Sequence, residues 1–195
     1  MLRRKFLWGT PGSALLLGLA LSACTTTTMS DSQNGHADKR HTLDAGFDAT
    51  LARLYSQARG SRELVSKARG VLIFPSVIDA GFVVGGQYGE GSLRVAGQTT
   101  GYYSTTTGSI GWQIGAQSRA IVFLFMTEAA LNRFRSANGW SAGGDASVAI
   151  LKVGANGAVD TSTATGDVDA FLLTNSGIMA GASLQGTKVS RLNVL

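Results

Sequence analysis

Glycine placed inside apolar segments is the sequence feature that most restricts the fold. It accounts for 26 of the 195 residues, whereas average usage is about 7%. Seven of these glycines lie in two apolar stretches, residues 80–89 (AGFVVGGQYG) and 108–117 (GSIGWQIGAQ). Glycine weakens a strand, and it is tolerated where a sheet bends sharply or where a backbone or ring packs directly on it. The pattern therefore predicts a tightly curled, partly closed antiparallel sheet.

The strands are predicted from short apolar runs and from alternation. Residues 71–74 form an apolar run that is stopped by Pro75, and residues 120–126 are almost wholly apolar, as in a buried strand. A short helix is predicted over residues 128–136, with Thr127 as its N-cap. Further strands are predicted at residues 80–89, 92–96, 108–117, 147–153, 170–174, 178–184 and 187–192.

An amphipathic helix of about 20 residues is predicted to precede the sheet, because apolar residues recur there at steps of three, four or seven. Asp44 or Asp48 would cap its start, Gly60 would weaken it by about 1 kcal/mol relative to alanine, and Gly70 would end it. Its apolar face holds Phe47, Leu51, Leu54, Ala58, Val65 and Ala68. Its basic residues are Arg53, Arg59, Arg62, Lys67 and Arg69. The fold class predicted over residues 43–195 is thus α+β, with this basic helix laid against the sheet and one or two short helices.

The beginning of the chain has the layout of a cleavable export signal. Basic residues at 3–5 precede an apolar stretch at 15–21, which ends in small residues before Cys24. The stretch is shorter than the roughly 20 apolar residues of a spanning helix. Residues 21–24 (LSAC) resemble the lipobox of bacterial lipoproteins, which implies acylation of the Cys24 thiol and cleavage just before it. The alternative is an ordinary secreted protein with a chance cysteine at that point.

These features predict a signal peptide at residues 1–23 and a flexible polar tether at residues 24–42, which has too little apolar surface to fold by itself. Residues 3–7 (RRKFL) also resemble the twin-arginine export motif, and a general secretory signal remains the alternative. Thr25 follows the cysteine in place of the aspartate that retains many lipoproteins at the inner membrane. By that resemblance we expect a lipid-anchored protein of the bacterial outer membrane, with its domain facing the periplasm.

Charge and cysteine content argue against several functions. Without the three basic residues of the leader, the basic count falls from 17 to 14 against 12 acidic residues, a net charge of +2. The pI of about 9.7 is therefore no indication of nucleic-acid binding. With Cys24 acylated, no thiol remains for a disulfide or a cysteine metal site. The histidines, His36 and His41, lie in or beside the tether, which leaves a catalytic triad or a zinc site without a rigid imidazole.

Other patterns give no catalytic or cofactor site. The GQYGEG sequence at residues 86–91 leads into a predicted strand, whereas a dinucleotide-binding loop opens a helix. Asp160, Asp167 and Asp169 could supply oxygen ligands to a cation, but their position near Gly157 and Gly166 is more typical of solvated loop residues. Asp79, Glu90 and Glu128 could supply paired carboxylates for glycosidase chemistry, but nothing in their spacing favours it. The sequence predicts a non-catalytic protein without a cofactor or metal.

Five segments, in order, make the chain resemble the SYLF-domain family. Residues 68–75 (ARGVLIFP) fit its A-x-G-[VI]-x-[IV]-x-P element, and residues 81–91 (GFVVGGQYGEG) fit its glycine-rich strand pair. The resemblance covers roughly residues 47–190. It departs at residues 102–104, where many relatives have an aromatic-Ser-x-Pro element and no proline follows here. The other three segments are residues 111–117, 120–127 and 176–186.

The resemblance implies binding rather than catalysis. Eukaryotic members bind acidic phospholipids, and some bind actin filaments, whereas bacterial members are commonly exported lipoproteins. Actin is not expected outside the inner membrane. We therefore expect membrane phospholipids with acidic headgroups as partners, bound by Arg53, Arg59, Arg62, Lys67 and Arg69 at about 1 kcal/mol per basic residue. The alternative is that the apolar side of the helix docks on the sheet and the arginines are merely solvated.

A second function remains open at this point. A structural or interaction protein of the cell envelope would present a surface to a protein partner. The glycine-rich strands, with Trp140, Tyr102 or Tyr103 exposed, would form that surface.

Overall fold

The computed structural model describes residues 29–81, 84–110, 117–160, 162, 164, 166–179 and 183–193. Cys24 and nearly all of the predicted segment 111–117 lie outside the described residues. Within them the helices are Met29–Gln57 (α1), Ser61–Lys67 (α2) and Glu128–Ser136 (α3). The strands are Gly70–Gly81 (β1), Val84–Val95 (β2), Gln98–Ile110 (β3), Gln117–Phe125 (β4), Trp140–Ser141 (β5), Val148–Ile150 (β6), Val168–Thr174 (β7), Gly177–Ile178 (β8) and Lys188–Arg191 (β9).

The α+β class and the curled sheet are confirmed. The described strands form one sheet in the order β5-β9-β3-β2-β1-β4-β7-β6, with β8 paired to β7. The sheet was predicted to be antiparallel, and one pair of strands differs, because β6 runs parallel to β7. Parallel neighbours need a crossover connection, so the chain returns to the end at which β6 begins before β7 starts.

The structure corrects the boundaries of the N-terminal helix. Residues 29–42, predicted as part of a flexible tether, are helical, and Asp44 and Asp48 lie inside α1 rather than at its start. A salt bridge of 2.9 Å between Lys39 and Glu90 of β2 ties this polar stretch to the sheet, a contact that local composition cannot predict. The predicted single helix is also divided, because Gly60 takes a left-handed φ of 89° between α1 and α2.

Strand β1 passes through Pro75, which was predicted to stop it. The pairing of β1 with β2 shifts register between Ile73 and Ser76, and proline, which lacks an N–H, is tolerated at such a bulge. A Cβ at Gly91 of β2 would collide with the carbonyl oxygen of Ile73. Glycine is therefore required where the bulge brings the two backbones together, as the glycine-rich pattern predicted.

Side chains of the central strands alternate between two buried layers. In β4, Ile121 and Phe123 join the layer beneath α3, while Val122 and Leu124 join the layer beneath α1 and α2. Leu131 and Phe134 of α3 fill the first layer. The helix α3 spans the predicted residues, and the Thr127 hydroxyl accepts a hydrogen bond of 3.2 Å from the N–H of Ala130, as expected of the N-cap. Helices thus cover both faces of the sheet.

Candidate functional site

Polar contacts fix α1 across β2 and β3 on one face of the sheet. The Asp44 carboxylate accepts hydrogen bonds from the hydroxyls of Tyr102, at 2.9 Å, and Thr99, at 3.0 Å. Burial, followed by the hydrogen bond to this carboxylate, raises the pKa of Tyr102 to about 12. Tyr102 lies within β3, so the residues that depart from the family pattern form part of a strand. The hydrogen bonds from Tyr102 and Thr99 to Asp44 help to set the position of the basic helix on the sheet.

Arg94 of β2 makes a second connection to α1. Its guanidinium donates to both carboxylate oxygens of Asp48, at 2.5 and 3.1 Å, and stacks 4.1 Å from the centre of the Phe47 ring. The hydrogen bonds from Arg94 lower the pKa of Asp48. Since Phe47 is itself buried, this arginine joins the apolar layer to the charged surface.

The five predicted lipid-binding residues lie along the second half of α1, at the α1–α2 corner and along α2. Arg59, Arg62, Lys67 and Arg69 are exposed, whereas Arg53 is partly buried and its Nε lacks a hydrogen-bond partner. The structure therefore keeps four of the five predicted cations at the surface.

Each of the four exposed cations has a neighbour. Arg59 donates to the carbonyl oxygen of Asn156, and the Arg62 guanidinium lies 4.1 Å from the centre of the Tyr55 ring. Lys67 pairs with Glu63 at 2.7 Å, and Arg69 with Glu128 at 3.8 Å. The hydrogen bond from Lys67 lowers the pKa of Glu63. Exposed ion pairs hold side chains weakly, so an external anion can compete for these cations.

The apolar residues of α1 and α2 pack on the sheet, which was the alternative left open by the sequence. Leu54 and Leu64 are buried against β1, β4 and β7, and Leu51 and Val65 pack at the edge of the same layer. The exposed surface of this helical unit therefore consists of its basic residues and its edge, while its apolar face stays on the sheet.

An apolar groove lies beside these cations, and the sequence did not predict it. It has a volume of about 290 Å³ between α1, α2 and the β2–β3 turn. Phe47, Leu51, Val65 and Val71 provide its apolar lining, and Arg69 and Arg94 lie in its wall. Leu51 and Val65 belong to the predicted apolar face. Their distance from the turn at residues 96–97 depends on tertiary packing, which the helical pattern cannot reveal.

The carboxylates considered for catalysis are held by cations. Asp79 pairs with Arg119 at 3.4 Å, Glu90 with Lys39, and Glu128 with Arg69. Among the described residues, no group of three or more His, Cys, Asp or Glu side chains is arranged to hold a metal ion.

The three carboxylates considered as cation ligands differ in their surroundings. Asp160 accepts hydrogen bonds from Ser162, and Asp167 pairs with Arg133 at 3.2 Å. Asp169, predicted as a solvated loop residue, is instead buried in β7, and burial raises its pKa to about 6.

The prediction of exposed aromatic residues is wrong for Trp140 and Tyr103. Trp140 is 2% exposed and packs edge-on against Phe123 and Phe134 at 5.7 and 5.6 Å, and Tyr103 is 4% exposed. Tyr102 is partly buried over Asp44. Among the residues whose side chains the structure describes, the exposed large apolar ones are Ile78 (52%) and Tyr88 (50%), which lie opposite each other in the β1–β2 register.

Comparison with known proteins supports a binding domain. Residues 106–193 match the family model Ysc84, described as Las17-binding protein actin regulator. This range includes α3 and the strands from the second half of β3 to β9, and it excludes the predicted basic residues of α1 and α2. No curated protein matched the chain. Helices in the described part of the chain lack the combined length and apolar character needed to cross a bilayer. Over residues 106–193, this chain is therefore similar to the Ysc84 (SYLF) family, a family of lipid- and actin-binding domains.

Proposed function

We propose that this protein is a membrane-anchored lipoprotein whose domain binds acidic phospholipid surfaces without catalysis. In this proposal the anchor is an acylated Cys24 at the end of a cleaved signal peptide, and the domain faces the periplasm from the outer membrane. The partners are anionic lipid headgroups. Actin and nucleic acid are not proposed as partners.

One observation carries the proposal: exposed cations and an apolar groove lie at the same corner of the domain, and Arg69 is part of the groove wall. Arg62, Lys67 and Arg69 lie on or next to α2, and the groove opens between α2 and the β2–β3 turn. Anionic headgroups near a surface gain about 1 kcal/mol for each basic residue. The groove adds apolar area that a lipid chain or glycerol backbone can cover.

The anchor explains why such a modest surface suffices. Lipid chains on Cys24 would keep the domain at the bilayer, and a basic patch is a recognised further signal that strengthens membrane binding. The cations of the α1–α2 corner supply that further signal in this proposal. Their attraction to headgroups acts within about 8 to 10 Å at physiological ionic strength, so the corner has to lie close to the bilayer.

The test is co-sedimentation of the full chain with phosphatidylglycerol vesicles and with neutral phosphatidylcholine vesicles. Binding to neutral vesicles measures how much the apolar leader contributes to membrane binding. The difference between the fractions bound to anionic and to neutral vesicles therefore gives the contribution of the headgroup charge. The double variant Arg62→Ala/Lys67→Ala should lose most of the preference for anionic vesicles. Lys152→Ala/Lys188→Ala removes the same charge from exposed positions elsewhere and should keep it. Equal losses in both variants would reject this surface as the lipid site.

A protein partner in the cell envelope is the second candidate function. Ile78 and Tyr88 favour it, because two half-exposed apolar side chains stand side by side on the sheet. Under this alternative, Ile78→Ser/Tyr88→Ser would abolish association with the partner in chemical cross-linking of intact cells. Under the lipid proposal, the same variant would keep the full preference for anionic vesicles.

A further inference from the structure

A polar groove lies on the other side of the molecule, between the end of α3 and the end of β9. It has a volume of about 480 Å³. Its polar lining consists of two arginines, two serines and two asparagines: Arg135, Arg191, Ser136, Ser190, Asn138 and Asn193. Carboxylates are absent from the described residues that line it. The groove therefore presents hydrogen-bond donors and positive charge.

The fold brings the two arginines together from distant parts of the sequence. Arg191 of β9 lies opposite Tyr103 of β3, so their side chains project from the same face of the sheet. The Tyr103 ring packs against Phe134 of α3 with ring centres 4.8 Å apart. This contact places Arg135, the next residue of α3, beside the end of β9. Both guanidinium groups oppose the rise in the pKa of Tyr103 that burial causes.

Among the described residues, neither of these two arginines has an acidic counterpart, a property they share with Arg59 and Arg62 but not with several other arginines of the domain. Arg133, on the same helix, pairs with Asp167 at 3.2 Å, and Arg119 pairs with Asp79 at 3.4 Å. Within the described part of the chain, neither Arg135 nor Arg191 has a carboxylate within ion-pair distance. The negative end of the α3 dipole accounts for a cation at Arg135. It does not account for Arg191, which belongs to a strand.

We propose that this groove binds a phosphate group. Guanidinium groups match the geometry of phosphate oxygens and bind them through paired hydrogen bonds, and the serine hydroxyls and asparagine amides offer further donors. The site goes beyond the proposed lipid surface, because α3 covers the opposite face of the sheet from α1 and α2. The phosphate belongs either to a lipid headgroup or to a soluble phosphate ester.

The first arm of the test uses soluble probes. Inorganic phosphate and glycerol 3-phosphate are titrated into the full chain by calorimetry, with sodium chloride at matched ionic strength as the blank. Arg135→Ala and Arg191→Ala should each weaken binding about tenfold or more, since a hydrogen bond to a charged group contributes about 1.5–3 kcal/mol. Arg133 lies two residues before Arg135 in α3 and is already paired with Asp167. The control variant Arg133→Ala should therefore bind phosphate as the native chain does. Circular dichroism verifies that each variant is folded.

The second arm identifies the source of the phosphate. If Arg135→Ala/Arg191→Ala also reduces the preference for phosphatidylglycerol vesicles, the groove takes lipid headgroups; if the preference is kept, it takes a soluble phosphate ester. Absence of phosphate binding by the native chain, or unchanged binding in both single variants, would overturn the proposal. Arg62→Ala/Lys67→Ala should keep phosphate binding, so failure of the α1–α2 surface and failure of this groove are distinguishable.

Discussion

Arg94 of β2 contacts Phe47 and Asp48 of α1 at the same time, with its guanidinium 4.1 Å from the Phe47 ring centre and hydrogen-bonded to the Asp48 carboxylate. One side chain therefore connects the basic helix to the sheet through both a ring contact and an ion pair.

We expect Arg94→Ala to lower the free energy of unfolding by about 1–2 kcal/mol, because a cation–π contact of a partly desolvated arginine is lost with the pair. Urea denaturation of the native chain and the variant measures this change in the free energy of unfolding. Arg69→Ala removes only a 3.8 Å exposed pair and should cost far less; equal costs would contradict the role given to Arg94.

The burial of Asp169 predicts an unusual dependence of the free energy of unfolding on pH. Its pKa is raised by burial to about 6 in the folded protein, and its Oδ1 has no hydrogen-bond partner. Between the ordinary value of 3.8 and about 6, the folded state holds more protons at this site than the unfolded state. This residue's contribution to stability therefore falls as the pH rises through that window.

Asp169→Asn should remove this pH dependence. At pH 7 the variant should be more stable than the native chain by roughly 1–3 kcal/mol, since each unit of pKa shift corresponds to about 1.4 kcal/mol. Thermal unfolding at pH 4, 5, 6 and 7 compares the two proteins. Parallel stability curves for both would contradict the assignment.

Two glycines of β2 should respond oppositely to substitution. A Cβ at Gly91 would collide with the carbonyl oxygen of Ile73, whereas a Cβ at Gly86 would meet nothing closer than 4.0 Å. Gly91→Ala should therefore destabilise the domain by about 2 kcal/mol or more, as strain at a special backbone position does. Gly86→Ala should be neutral or slightly stabilising, because alanine narrows the unfolded ensemble. Chemical denaturation of both variants gives the comparison.

Truncation of Trp140 should destabilise the domain as much as truncation of a core residue does. Its ring lies among Phe123, Phe125 and Phe134, so Trp140→Ala should cost about 3–5 kcal/mol. Tyr88→Ala, which truncates an aromatic side chain that is 50% exposed, should cost little. A small effect at Trp140 would support the expectation of an exposed tryptophan, which the structure contradicts.

Local patterns were sufficient for some elements. The Thr127 cap and the helix that follows it were predicted correctly, because a cap and its helix are formed by neighbouring residues. The apolar run of β4 predicted a strand buried on both faces. The glycines predicted close backbone approach, as found at Gly91.

Other features depend on partners far away in the sequence. The burial of Trp140 follows from the pairing of β5 with β9, and nothing near Trp140 encodes that pairing. The first turns of α1 are tied to the sheet through Glu90, which is 51 positions from Lys39. Arg135 and Arg191 converge only because Phe134 packs on Tyr103. Sequence periodicity assigns a residue to a face of its own element, and the packing of elements decides what that face meets.

The most direct measurement of the central claim is the fraction of the full chain bound to phosphatidylglycerol vesicles relative to phosphatidylcholine vesicles, as salt is raised. We predict a clear preference for the anionic vesicles at about 0.01 M salt, where the Debye length is about 30 Å, and its disappearance near 1 M, where it is about 3 Å. Equal binding to both kinds of vesicle at low salt would contradict the proposal that this domain binds acidic phospholipid surfaces.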